Sequence, residues 1–341
     1  MRARTVLAHA ALLTGSLTIA ALLGEAVVRA RGVRPHPRVY AGEQLDPARR
    51  NFVADGRIGW RMQPNHAFHD TTAGRTTVYH SNAQGFRADR DFDTAETRPV
   101  IALIGDSFVF GIGVPVESTC AASLERALPG AAVYNFALPG TGMDQIWLSL
   151  RHAAAAYRPR LVIAGFIDED FERSQTAFRE GQFTKPLYVL EADTLRRAVL
   201  ADRPNVVYRQ LERRSALVQV WRSAGRVAGH AQPVGDWWRL NAAVVRAMVA
   251  DARRLGATIV LVRMPRREAM RDFASLRGLM AELGTPYLDL ADPAVQRPAG
   301  LHFATDSHIN DAGHRFVADA LLAWIRAHQP ELATPAAPGT R

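Results

Sequence analysis

The chain begins with its longest uninterrupted apolar pattern. From Val6 to Leu23, 18 residues carry no charge and only His9, Thr14, Ser16 and Thr18 as polar interruptions, behind Arg2 and Arg4. At about 1.5 Å of rise per residue, a helix of that length just crosses a bilayer. A cleaved signal peptide is one alternative, although no clear Ala-x-Ala site precedes Gly24-Glu25; a buried core helix is another. Arg29 and Arg31 on the far side reduce the charge asymmetry that would orient the helix. We expect a signal anchor over residues 1–31, with the bulk of the chain outside the cytoplasm.

Residues 32–60 are rich in Pro, Arg and Asp and read as a linker. The stretches Ile58–Asn65 and Thr77–Arg87 predict short strands separated by turns, so 32–97 form a linker and a small β-rich lead-in. From Arg98 the rhythm changes. Val100–Ile104, Ala132–Phe136, Leu161–Gly165, Thr258–Arg263 and Pro286–Leu290 are short, unalternating apolar runs, the signature of parallel strands covered on both faces. Between and after them lie the amphipathic segments Ser118–Leu128, Ile146–Tyr157, Trp237–Leu255, Arg267–Leu283 and Ala312–His328. Strand-helix alternation predicts right-handed crossovers and a three-layer α/β/α domain with a parallel sheet over 98–328. Residues 175–236 break the rhythm and read as an insertion that could shape a lid or a binding wall. Helices are expected there at Asp193–Leu200 and Pro204–Ala224, with Pro204 as the break between them. Residues 329–341 should form a flexible tail. No internal repeat or low-complexity tract is present.

Charge and composition narrow the function classes. The formal charge is +9 and the pI about 10.5, but the excess is arginine spread along the chain. No basic run interleaves with aromatics as a nucleic-acid surface would require, so no nucleic-acid partner is expected. Diffuse arginine fits solvated helix faces, with some bias toward anionic surfaces. A single cysteine, Cys120, excludes an intramolecular disulfide and reads as a buried structural thiol.

Four segments carry the chemistry. Gly105-Asp106-Ser107, Tyr134 to Gln145 and Gly165 to Arg173 each end a predicted strand, so all three converge on the carboxyl edge of one sheet, where open α/β sheets bind ligands. Asp306-Ser307-His308 precedes the last helix. Singly, each has a plain explanation: a helix N-cap for the Gly-Asp-Ser turn, a turn glycine for Gly140, a loop ion pair for Asp306 and His308. Together they supply a nucleophile, a base, an acidic partner for the base, and a glycine amide near the nucleophile.

On these residues the chain resembles the SGNH, or GDSL, hydrolase superfamily. The resemblance spans roughly 98–328 and implies a flavodoxin-like α/β/α fold performing ester hydrolysis or acyl transfer. It makes Ser107 the nucleophile, His308 the general base and Asp306 its orienting carboxylate, with the amides of Ser107 and Gly140 as oxyanion donors. The lead-in is similar to that of a membrane-anchored bacterial branch, through Gly59-Trp60, Pro64-Asn65 and Gly85-Phe86-Arg87. Gly111-x-Gly113-Val114, Asp144-Gln145 and Asp170-x-x-Arg173 fit that branch too. It implies a periplasmic, envelope-anchored domain.

Two departures stand out. The third block of that superfamily carries an oxyanion-binding asparagine, and the matching position here is Glu169. An ionised carboxylate repels a developing oxyanion, and losing one such donor costs on the order of 10²–10³ in kcat. The Asp306–His308 spacing is two rather than three, which related branches share. The implied mechanism uses no cofactor and no metal. His302 and His314 flank His308 without a ligand pattern of known spacing, and His314 reads as a structural or surface residue. The trio Asp168-Glu169-Asp170 reads as a solvated or capping feature, and Trp237-Trp238 as packing.

The expected function is a serine esterase or O-acyltransferase acting on an acylated small molecule or polysaccharide, foremost an O-acyl group on a cell-envelope glycan. The alternatives are a lipase or lysophospholipase at the bilayer, and a catalytically impaired glycan-binding or assembly protein, which Glu169 motivates.

Overall fold

The computed structural model describes residues 2–35, 51–71, 74–179, 183–198, 206–225, 237–267 and 273–334. Residues 36–50 of the expected linker, the Pro204 break, and the tail from 335 lie outside the described residues.

In chain order, α1 (Arg2–Ala30) is followed by two antiparallel hairpins, β1 (Phe52–Asp55) with β2 (Gly59–Met62) and β3 (Ala67–Asp70) with β4 (Thr77–His80). Then come β5 (Val100–Ile104), α2 (Ser107–Phe110), α3 (Cys120–Ala127), β6 (Ala132–Asn135), α4 (Met143–His152), β7 (Leu161–Phe166) and α5 (Asp168–Arg173). The insertion holds β8 (Phe178–Arg179), β9 (Phe183–Thr184), β10 (Tyr188–Glu191), β11 (Thr194–Arg197), α6 (Val206–Arg214) and α7 (Ala216–Gly225). The chain continues through α8 (Trp237–Arg254), β12 (Thr258–Arg263), α9 (Ala274–Glu282), β13 (Tyr287–Asp289) and α10 (Asp311–His328).

The five expected strands form one parallel sheet in the order β13-β12-β7-β5-β6. Numbered by their own succession this is 2-1-3-4-5, the flavodoxin-like order, whose switch point lies between the first and third strands. Both faces are covered, and alternate side chains divide between them. Val100, Ala102 and Ile104 of β5 join a core with α4, α8 and α9; Ile101 and Leu103 join one with α3 and α10. Every residue of β5, β6 and β7 is buried, which is why these runs show no polar alternation.

One expectation fails in the insertion. Asp193–Leu200 does not begin a helix: Ala192 and Asp193 both have positive φ, 46° and 63°, and form the two-residue turn that pairs β10 with β11. That backbone suits the right-handed twist of a hairpin and is incompatible with a helix. The second expected helix divides at Ser215 into α6 and α7. The helix expected over Arg267–Leu283 is described from Ala274; residues 268–272 lie outside the described residues.

Candidate functional site

The site is assembled where β5, β6 and β7 end. Gly105, just after β5, has no room for a side chain: a Cβ there would come within 2.7 Å of the Gly165 carbonyl oxygen and collide with Val109. Asp106 then leaves the strand with its side chain accepting from the Phe108 amide at 2.9 Å. The capping residue is therefore Asp106, and Ser107 remains available as the first residue of α2. Its Oγ is 2.8 Å from His308 Nε2 and 3.3 Å from Asp106 Oδ2.

His308 comes from the loop before α10. Its Nδ1 is 2.5 Å from Asp306 Oδ1, and its amide donates to the same oxygen at 2.8 Å. This assigns the Nδ1 proton to the Asp306 side and leaves Nε2 as acceptor for the Ser107 hydroxyl. Partial burial acts to raise the Asp306 pKa, but the His308 amide and ring and the charge of Arg267 outweigh it and hold the carboxyl below its usual range. The loop is fixed behind them. Asn310 caps α10 through Ala312 and Gly313 and donates to the Gly300 and His302 carbonyls. Phe108 packs against the His308 ring at 5.0 Å.

The second block is tied to the first. The Asn135 side chain donates to Val109 O at 3.0 Å and accepts from the Ala137 amide. The Thr141 hydroxyl bridges the carbonyls of Gly105 and Leu138, 3.1 Å from each. Gly140 sits between at φ 72°, a left-handed turn where glycine is the unstrained choice. The structure therefore brings Ser107, His308, Asp306 and the Gly140 turn to one sheet edge.

The acidic trio is not a solvated feature. Asp168 and Asp170 are buried, and all three carboxylates are paired. Asp168 takes a two-point bond from Arg263 at 2.9 and 2.9 Å, and Arg263 also reaches Asp289. Asp170 accepts from the Ile167 amide and from Arg173 at 2.6 Å; burial and the Asp106 carboxylate push its pKa up against the pull of Arg173. Arg173 lies 3.6 Å from Asp106 and so links the third block to the first. Glu169 pairs with Arg266, while its Oε2 is buried without a hydrogen-bond partner among the described residues. Arg266 lies over the Phe108 ring, 5.6 Å from its centre.

The lead-in motifs buttress the loop that follows α2. Arg87 is buried and donates to the carbonyls of Phe110, Gly111 and Val114 at 3.1, 2.5 and 2.5 Å. Burial lowers its pKa to about 10, and the Tyr79 ring packs 4.3 Å from the guanidinium. Tyr79 accepts from the Gly113 amide, and Trp60 Nε1 donates to the Pro139 carbonyl beside Gly140. His314 is buried, not surface; its Nδ1 accepts from the Cys120 amide. Cys120 is buried and its thiol is pushed up to about 12 by burial, as a structural role requires. Trp237 and Trp238 pack on Phe171.

Sequence reasoning passed over Arg263, Arg266 and Lys185. Arg263 and Arg266 lie at the end of β12, at the same sheet edge as the other blocks, and that position was the available signal. Lys185 is the only lysine in the chain, and its amine is buried against Asp144.

Together these elements define an α/β protein whose sheet edge presents a serine hydrogen-bonded to a histidine that a carboxylate orients. The chain is similar in structure to a lipase/acylhydrolase from Enterococcus faecalis, with 14% identity and a TM-score of 0.40 over 67% of this chain and 96% of that one. It is also similar to a psychrotrophic esterase, EstA, from a Pseudoalteromonas species, with 12% identity and a TM-score of 0.41 over 68% and 98%. An acetyl xylan esterase, AlAXEase, gives 13% and 0.40 over 66% and 99%. At that level of likeness nothing is transferred from them, and the site rests on its own geometry. No family model and no curated relative matches the chain.

Proposed function

We propose that the chain is a serine esterase or O-acyltransferase of the SGNH type, with residues 98–328 as the catalytic unit. The observation that carries this is the continuous Asp306–His308–Ser107 hydrogen-bonded chain at the switch point of the sheet. His308 Nε2 takes the Ser107 proton as Oγ attacks the ester carbonyl, and Asp306 stabilises the imidazolium that forms. The amides of Ser107 and Gly140 receive the oxyanion. His308 returns the proton to the leaving alcohol, and water or a sugar hydroxyl then takes the acyl group from Ser107. No step calls for a metal or an organic cofactor. The N-terminal helix supports a membrane-tethered location and hence an O-acylated cell-envelope glycan as substrate class. The insertion counts against a wide lipid channel, because β10 and β11 carry the exposed Glu191, Arg196 and Arg197.

Glu169 supports a second reading, a binding or assembly protein with an impaired site. Hydrolysis of p-nitrophenyl acetate by the full chain in detergent separates the two. Ser107→Ala should lower kcat at least 10³-fold with the fold unchanged by circular dichroism; equal rates would reject the serine mechanism.

A further inference from the structure

The anchor helix and the insertion are joined by a built contact. Glu25, near the carboxyl end of α1, caps a helix 190 residues away. Its carboxylate accepts from the Ser215 hydroxyl at 2.7 Å and from the Ala216 and Leu217 amides at 2.8 and 2.9 Å. These are the free donors at the start of α7, which every helix N-terminus must satisfy. Arg29 holds Glu25 at 2.6 Å and donates to the Arg214 carbonyl. Gly24 faces Leu217, since a Cβ there would lie 3.5 Å from Leu217 Cδ2.

α7 thus starts at the level where the apolar stretch of α1 ends, and it carries an apolar face outward. Leu217, Val220 and Trp221 share one side of the helix, at i, i+3 and i+4. Leu217 meets α1, whereas Val220 and Trp221 are 40% and 66% exposed. Leu211 of α6 is exposed as well, at 50%. The apolar face of α7 is therefore continuous with α1, a 26-residue membrane-length segment whose apolar window the rest of the chain leaves uncovered. Arg31, Arg34, Arg213 and Arg214 are exposed around the same junction, which suits anionic headgroups.

We infer that α7 is a foot that rests in the membrane interface beside the anchor, with Trp221 and Val220 among the outer acyl segments of a phospholipid bilayer and the arginines at its headgroups. This rests on α1 spanning the membrane, and it does not depend on the serine chemistry. Two consequences follow. Removing α1 would strip α7 of its cap. The body of the protein is also held at a fixed height and tilt over the lipid surface, since two elements touch the membrane.

Trp221 makes the inference measurable. α1 contains no tryptophan, and Trp60 and Trp147 are buried while Trp237, Trp238 and Trp324 are half-buried. The full chain is reconstituted into phosphatidylcholine vesicles containing phosphatidylglycerol, some brominated near the top of the acyl chain, and recovered by flotation. Bromolipid should quench part of the tryptophan emission, and Trp221→Phe should remove most of that quenching while still floating. Equal quenching in the two floating proteins would overturn the foot. Failure of the wild-type chain to float would overturn it differently, by removing the anchor. In detergent, protection of Trp221 from acrylamide that rises with protein concentration would assign the face to a second copy instead.

Discussion

At the residue scale, the ion pair of Glu169 and Arg266 bears on the proposed oxyanion side of the site. A lone carboxylate at Glu169 would oppose negative charge forming on the substrate. Its pairing with Arg266 cancels that charge, and the guanidinium lies one ring, Phe108, away from His308. Arg266→Ala should therefore lower kcat on p-nitrophenyl acetate by on the order of 10², because it leaves the Glu169 carboxylate without its cation on the proposed oxyanion side. Glu169→Asn in the Arg266→Ala background should restore part of the loss by removing the uncompensated charge. A double variant no faster than Arg266→Ala would show that the pair acts only by holding the β7 and β12 loops together, which a parallel fall in thermal stability would confirm.

At the element scale, the insertion is fastened to the sheet by a buried charge pair. Lys185, just after β9, meets Asp144 in the first turn of α4, and both side chains are 1% exposed. Burial pushes the Asp144 carboxyl up and the Lys185 amine down, while each charge favours the other. Removing one partner leaves the other buried and uncompensated, so Lys185→Met should cost about 3–5 kcal/mol by urea denaturation at neutral pH. The loss should shrink as pH falls, because a carboxyl whose folded pKa is raised favours folding below its unfolded pKa and loses that contribution as pH rises. Lys185→Met with Asp144→Asn should recover most of it. Such a contact was invisible in the sequence, where Asp144 read only as part of a motif and Lys185 was passed over. The sheet strands were legible because burial on both faces leaves a run with no polar interruption, and all five appear within a residue or so of their expected ends. The three loops of the site were legible for a related reason, as small and polar residues placed where those runs stop. The insertion was not: its Ala192-Asp193 turn lacks the glycine or asparagine that usually marks a hairpin, and the polar residues of β11 mimic a helix surface.

At the scale of the whole molecule, one buried histidine couples acid stability to the geometry of the site. His314 lies on α10, six residues beyond His308, and its Nδ1 accepts from the Cys120 amide at the start of α3. It thus clamps together the two helices that cover one face of the sheet. Burial, reinforced by the charges of Arg87 and His308, depresses its pKa to about 3, against a smaller opposing pull from Asp311. In the unfolded chain the same imidazole titrates near 6.5. Between those values the unfolded state binds a proton that the folded state refuses. The contribution of His314 is therefore complete above the unfolded pKa, and it declines as pH falls toward 3. The slope is about 1.4 kcal/mol per pH unit, which amounts to several kcal/mol over the interval. His314→Gln keeps an acceptor for the Cys120 amide and removes the titration. Urea denaturation at a series of pH values should show the variant losing less stability than the wild-type chain between pH 6 and pH 4. Parallel curves would mean that His314 is protonated in the fold without cost, and that the α3–α10 clamp does not set the acid limit of the protein.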